Sequence, residues 1–124
     1  MEIIIKTDTM LPAPKTLDQL KADKIQALSD SFNAKSIRPR VDTGLGYFVD
    51  GSYTDLENFK IGQEFALPTI KDADGNSHPA SASDYDQVIL AIKQHGISLY
   101  QWKWAKEQEI AACATEAELD AVVI

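Results

Sequence analysis

Two segments with helical periodicity, one near each end of the chain, enclose a middle segment rich in glycine and β-branched residues. In the first of them, apolar residues recur at helical spacing and predict an amphipathic helix. These residues are Leu17, Leu20, Ile25, Leu28 and Phe32. Thr16, followed three positions later by Gln19, is a capping-box pattern. The helix is therefore predicted to run from Thr16 to about Asn33.

The middle segment predicts one or two small β-hairpins. Tyr47 to Val49 leads into Asp50-Gly51, a dipeptide suited to a tight hairpin turn. Thr54 is a suitable N-cap for a helical turn that extends to Phe59. A second hairpin is predicted from a strand at Phe65 to Ile70, a turn at Asp72 to Asn76 and a partner strand at Ser77 to Pro79.

The last third of the chain is predicted to be helical. Ser83 with Asp86 gives a cap pattern, and Gly96 marks a possible kink or break further along. Thr115 with Glu118 is a third capping box and opens a short terminal helix. The whole pattern predicts an α+β fold, with two main helices plus a short C-terminal helix packed with one or two small β-hairpins.

The first 15 residues are predicted to form a strand and an extended arm, and residues 16–124 a single α+β domain. The β-branched run Ile3, Ile4 and Ile5 favours a strand, whereas Pro12 and Pro14 favour extended chain. An unpaired strand can add to the sheet edge of a neighbouring protein. These three isoleucines are therefore candidate partner contacts, and deletion of residues 1–15 is expected to weaken assembly but leave the helical domain folded.

Charge and composition argue against several classes of function. The formal net charge is −7, and the 12 lysines and arginines are mostly scattered singly, so nucleic acid is not an expected partner. No stretch approaches the roughly 20 apolar residues that a membrane span needs. The single cysteine cannot form an intramolecular disulfide. The opening Met1 to Lys6 is too short and too acidic for a signal peptide, which predicts synthesis in the cytoplasm.

Candidate catalytic and metal-binding patterns are weak. A calcium loop at Asp72 to Asn76 would need its glycine in the sixth position and a glutamate in the twelfth, but glycine is fourth and Ser83 is twelfth. Gly44-Leu45-Gly46 lacks the further residues of a phosphate-binding loop and favours a turn or bulge. Cys113 lies in a predicted helix, where a thiol usually fills a small apolar site. No catalytic residue, cofactor or metal site is predicted.

An aromatic group near the C-terminus is the second candidate contact region. Trp102 and Trp104 are two positions apart on a predicted helix, so they point to different sides, and one is expected to face the core. The other, or Tyr100, is expected either to cover the hairpins or to meet a partner chain, since aromatic residues are favoured at interfaces. No heptad run here requires a coiled coil.

A further observation comes from several short segments: Val41–Tyr47, Val49–Ser52, Thr54–Phe59, Lys71–Gly75, Ala91–Gly96, Leu99–Trp104 and Thr115–Leu119. Together they resemble a family of small phage and prophage proteins, a domain of unknown function attached to, or encoded beside, tail-fibre proteins. The resemblance covers roughly Leu17 to the end of the chain and leaves Met1 to Lys15 uncovered. It implies a tail-associated structural or accessory protein and provides no catalytic residues.

The expected function is therefore a non-enzymatic tail component that binds other phage tail proteins, with a second copy of the chain as a further candidate partner in a homo-oligomer. It would be made in the cytoplasm of the bacterial host and reside in the virion tail if incorporated. Three alternatives stay open: an assembly chaperone absent from the virion, a small acidic inhibitor of a host protein, and an enzyme of unrecognised type. A pocket that holds His78 or His95 beside an acid would favour the enzyme.

Overall fold

The computed structural model describes residues 13–124 and has an α+β architecture. Its elements in chain order are α1 (Leu17–Ser36), β1 (Arg40–Asp42), β2 (Phe48–Asp50), α2 (Tyr53–Glu64), β3 (Thr69–Lys71), β4 (Ser77–Pro79), α3 (Ala82–Ala112) and α4 (Glu116–Asp120). The strands form two separate antiparallel hairpins, β1–β2 and β3–β4. The predicted fold class is confirmed. The 12-residue helix α2 is longer than the single helical turn expected at 54–59.

Capping boxes start α1, α2 and α3, but two of the predicted caps are wrong by two residues. The Thr16–Gln19 box is confirmed, with the Gln19 amide donating to Thr16 Oγ1 at 3.2 Å. Helix α2 starts from Ser52 rather than Thr54, and α3 starts from Ser81 rather than Ser83. In both helices the aspartate three positions after the serine closes the reciprocal bond, so each box satisfies two backbone amides.

The first hairpin turns at a different place from the one predicted. The strands pair Val41 with Val49, and the loop between them carries Gly44 and Gly46 at positive φ. Asp50 ends β2 instead of forming the turn. The chain turns at Gly44–Gly46 because this register places both paired valines in the core, where they are at most 3% exposed. The interpretation of the Gly44–Gly46 segment as a turn is confirmed.

The second hairpin turns where the sequence predicts. Asp72 Oδ1 accepts the amides of Asp74 and Asn76, both at 2.9 Å, and Gly75 has a φ of 88°. The strand before the turn covers only Thr69–Lys71, so the prediction that it starts at Phe65 is wrong. Phe65 is instead the C-cap of α2, because this helix continues to Glu64, beyond the turn predicted to end at Phe59.

The 31-residue helix α3 supports two hydrophobic cores, one on each half. The first joins the hairpins and α2 to the N-terminal half of α3: Val41, Val49, Ile70, Tyr85, Val88 and Ile92. The second joins α1 and α4 to the C-terminal half: Leu28, Ile110, Cys113 and Leu119. Helix α3 passes Gly96 without a break, contrary to one of the expected outcomes. Packing against both cores outweighs the roughly 1 kcal/mol helix cost of one glycine.

Helix α1 runs antiparallel to the C-terminal half of α3. Lys21 Nζ donates to the carbonyl of Ala111 near one end of the pair, and the ring of Phe32 lies 5.0 Å from that of Tyr100 near the other. Thr115 caps α4, as predicted, but the box is not closed: the Glu118 carboxylate accepts from the Thr115 hydroxyl, at 3.3 Å, rather than from its backbone amide. None of the helices within residues 13–124 has the length and apolar character to cross a membrane. The predicted N-terminal strand, with Ile3, Ile4 and Ile5, lies outside the described residues.

Candidate functional site

One face of α3 exposes a stripe of large apolar side chains. Ile97 is 57% exposed, Tyr100 50% and Trp104 56%. Their spacing of three and then four residues places them on one side of the helix. The rings of Tyr100 and Trp104 lie 5.7 Å apart and cover each other partly. These three residues form what we call the aromatic stripe.

Trp102 lies on a different side of α3 from Trp104, as the sequence predicted. Its side chain is partly buried against the second core, and Lys35 Nζ lies 4.0 Å from the centre of its ring. A cation over the face of a tryptophan ring adds a favourable electrostatic contact. Of the three predicted aromatic contacts, Trp102 is thus partly buried, whereas Tyr100 and Trp104 are exposed.

An apolar groove of about 450 Å³ adjoins the N-terminal end of the aromatic stripe. Its walls come from the start of α2 and from α3, and they include Tyr53, Leu56, Ile92, Gly96 and Ile97. Tyr53 is 77% exposed although it is an aromatic residue in the first turn of a helix. Sequence reasoning missed Tyr53, because only the packing of α2 on α3 brings it beside the stripe.

Gly96 has no structural necessity within the described chain. A Cβ atom added there would meet no atom within 4 Å, and its backbone is ordinary α-helix. Gly62 is different, since a Cβ there would approach the ring of Tyr85 to 3.0 Å. Glycine inside a helix costs roughly 1 kcal/mol relative to alanine. The missing side chain at Gly96 therefore widens the groove. Packing within residues 13–124 does not explain why a residue that lowers helix stability is present there.

A second region joins His78 to Asp72. His78 Nε2 lies 2.7 Å from Asp72 Oδ2, and the imidazole stacks on the ring of Tyr47 at 3.9 Å with a 9° interplanar angle. His78 and Tyr47 border a small pocket of about 240 Å³ that also includes Asp84. A histidine beside an acid, next to a pocket, is the arrangement that would favour the alternative of an enzyme of unrecognised type.

The geometry of this pair nevertheless fits a structural role. The hydrogen bond from His78 and those from the backbone amides of Asn76 and Asp74 lower the pKa of Asp72 to about 2. The carboxylate therefore holds the turn of the second hairpin and the imidazole of its second strand together. Within residues 13–124, the ring of His78 makes its hydrogen bond to Asp72, and no hydroxyl or thiol donates to it. A catalytic nucleophile would need such a contact.

The other side chains that could take part in catalysis or metal binding are widely separated or already hydrogen-bonded. Cys113 is buried just after the end of α3, where its thiol donates to the carbonyl of Glu109, while His95 lies 18 residues earlier on that helix. Asp84 closes the capping box of α3, and Asp86 accepts a 2.6 Å hydrogen bond from Gln63 Nε2. Among the described residues, no group of three or more His, Cys, Asp or Glu side chains could hold a metal ion.

Compared with known proteins, the chain matches no protein-family model, no curated protein and no solved structure.

Proposed function

We propose that this protein is a non-enzymatic structural or accessory component of a phage or prophage tail that works through protein–protein contact. The aromatic stripe and the adjoining groove are its contact surface. The single observation that carries the contact role is the joint exposure of Ile97, Tyr100 and Trp104 on one helix face, beside an exposed Tyr53.

Physical chemistry favours a partner at this surface. Single exposed apolar residues are common, but a contiguous patch of large ones usually marks an interaction site. Tyrosine and tryptophan are enriched at the centres of interfaces, where they bury much area with few rotatable bonds. The rim is polar, since Ser52 and Lys93 border the groove. An apolar centre with a polar rim is the usual anatomy of a protein–protein interface.

The assignment to a phage tail is supported by the sequence resemblance. Two of the segments that carry the resemblance, 91–96 and 99–104, form one wall of the groove and most of the aromatic stripe. The expected partners are other tail proteins. Nucleic acid is a poor candidate, because the net charge is −7 and phosphate contacts need clustered cations.

The test is the protein content of purified tails. Particles from a host that expresses the wild-type chain are expected to contain it by mass spectrometry, whereas Trp104→Asp places a charge in the contact surface and should be lost from particles. Ser98→Asp is the matched control, because Ser98 is exposed on α3 outside the stripe. Circular dichroism of both variants verifies that they fold.

Two results would contradict the proposal in different ways. A chain that co-purifies with tail-fibre proteins in the lysate but is missing from particles would be an assembly chaperone. A chain found in neither fraction, or a Trp104→Asp variant incorporated as well as wild type, would remove the contact role assigned to this surface.

A further inference from the structure

We infer that the occupant of the groove is Trp104 of a second copy of this chain, in an antiparallel homodimer whose two-fold axis passes near Tyr100. The inference rests on the proposed function, because it names the partner of the same contact surface. Three features carry it: the position of the groove relative to Trp104, the glycine in the groove wall, and the charges at the two ends of the stripe.

The projecting side chain and the groove lie at equal distances from Tyr100. Trp104 is four residues towards the C-terminus of α3, and Gly96 is four residues towards the N-terminus. At 1.5 Å per residue, each lies about 6 Å along the helix from Tyr100. A two-fold axis at Tyr100 therefore superimposes Trp104 of each copy on the Gly96 groove of the other. In such an isologous interface every contact occurs twice.

The groove suits an indole ring. It has a volume of about 450 Å³ between Tyr53 and Ile97, and its walls are almost entirely apolar. The absent side chain at Gly96 leaves room for a large group to approach the helix backbone. An inserted ring would meet Tyr53 on one side and Ile97 on the other, and both are more than half exposed in the single chain. The pairing explains a glycine that packing within the described chain does not require.

The charges at the ends of the stripe favour antiparallel over parallel pairing. Lys93 lies seven residues before Tyr100, and Glu107 lies seven residues after it. An axis at Tyr100 places Lys93 of each copy opposite Glu107 of the other, whereas parallel pairing would place like charges opposite each other. Within residues 13–124, Lys93 makes no ion pair, and Glu107 reaches Lys103 only at 3.8 Å.

The side of α3 that carries the aromatic stripe is long. Positions 90, 93, 97, 100, 104, 107 and 111 alternate spacings of three and four, which places them along one side of the helix. This side is about 30 Å long at 1.5 Å per residue. At its N-terminal end Leu90 is 52% exposed. The net charge of −7 on each chain opposes association, so pairing is expected to strengthen with moderate salt.

The experiment measures the mass of the full chain in solution by light scattering over a concentration range from about 1 to about 100 µM. Wild type is expected to reach twice the single-chain mass of 13.7 kDa. Gly96→Leu fills the groove and should weaken dimerisation by about tenfold or more, since a buried misfit of 1.4 kcal/mol is already tenfold. Ser98→Asp should dimerise like wild type, and circular dichroism verifies the folding of each variant.

A charge exchange tests the direction of pairing. Lys93→Glu and Glu107→Lys should each weaken the dimer, because each places like charges opposite one another. The double variant K93E/E107K should restore it, since the opposite charges then face each other in exchanged positions. In a parallel dimer like charges already face each other at positions 93 and 107, and neither single variant changes that. Single variants that pair as well as wild type would therefore contradict the antiparallel arrangement.

The outcomes separate this inference from the proposed function. A wild-type chain that stays monomeric throughout the concentration range, or a double variant that is not restored, overturns the antiparallel dimer. If Trp104→Asp is still lost from tails, the proposed function stands and the stripe binds a different tail protein. If the dimer forms as described but Trp104→Asp remains in particles, the dimer is supported and the tail contact at this surface is overturned.

Discussion

Tyr47 and Tyr85 show how two residues of one type take different roles in the same core. The Tyr85 hydroxyl donates to the carbonyl of Thr69 at 3.0 Å and ties α3 to β3. The Tyr47 hydroxyl is buried, and no partner for it is found in the part of the chain that the structure describes. Burial raises the pKa of both phenols. Tyr47 contributes mainly through its ring, which stacks on His78.

Removing the two hydroxyls is therefore expected to give opposite results. Tyr85→Phe loses a buried hydrogen bond and leaves a carbonyl unpaired, which should lower the free energy of unfolding by about 1 kcal/mol. Tyr47→Phe removes an unpaired buried polar atom and should be neutral or slightly stabilising. Urea unfolding of the two variants measures the difference. An equal loss in Tyr47→Phe would mean that its hydroxyl is hydrogen-bonded in solution.

At the scale of elements, the residue at which a helix starts depends on which serine or threonine forms a capping box with the side chain three positions later. Ser81 and Ser83 both precede an aspartate by three residues, so the sequence offers two equivalent starts for α3. The chain uses Ser81, whose backbone amide donates to Asp84 Oδ2 at 2.9 Å. Asp86 is then free to bind Gln63 on α2. The earlier start thus adds a contact between helices that the later start would lose.

The two serines provide a matched pair of substitutions. Ser81→Ala removes the N-cap and should lower the free energy of unfolding by about 1 kcal/mol. Ser83→Ala is in the first turn of the helix, where alanine is a good helix former, and should change stability by less than about 0.5 kcal/mol. Thermal and urea unfolding would measure both changes. A larger loss at Ser83 would place the helix start in solution two residues later.

At the scale of the whole molecule, α3 links two cores that share little else. The first core holds both hairpins and α2, and the second holds α1 and α4. Cys113 is 7% exposed in the second core and is the only cysteine of the chain, so its thiol can report on the opening of that core. Parts of a protein that share few contacts can open separately, each with its own free energy.

Thiol labelling can measure this separation. Leu119→Ala removes a buried side chain beside Cys113, at an expected cost of about 2 to 5 kcal/mol, and should accelerate labelling strongly. Val49→Ala disturbs the first core and should accelerate labelling much less, relative to its own loss of global stability. Equal acceleration for equal destabilisation would show that the two cores open as one unit.

The sequence by itself determined the elements whose signals are local. The Thr16 cap and apolar stripe of α1, the turn at Asp72–Asn76 and the opposite placement of Trp102 and Trp104 depend on neighbours along the chain. Capping boxes, Asx turns and helical spacing act over at most a few residues, so a sequence pattern is enough to predict them.

Tertiary structure decided between local signals of similar strength. A cap or a turn contributes about 1 kcal/mol, so two neighbouring candidates are nearly equal until core packing chooses one. The first hairpin turns at Gly44–Gly46 because that register buries both Val41 and Val49. Only the packing of α2 on α3 brings Tyr53 beside Ile97 and forms the groove. The contact surface joins residues distant in sequence, and for that reason the folded chain was needed to find it.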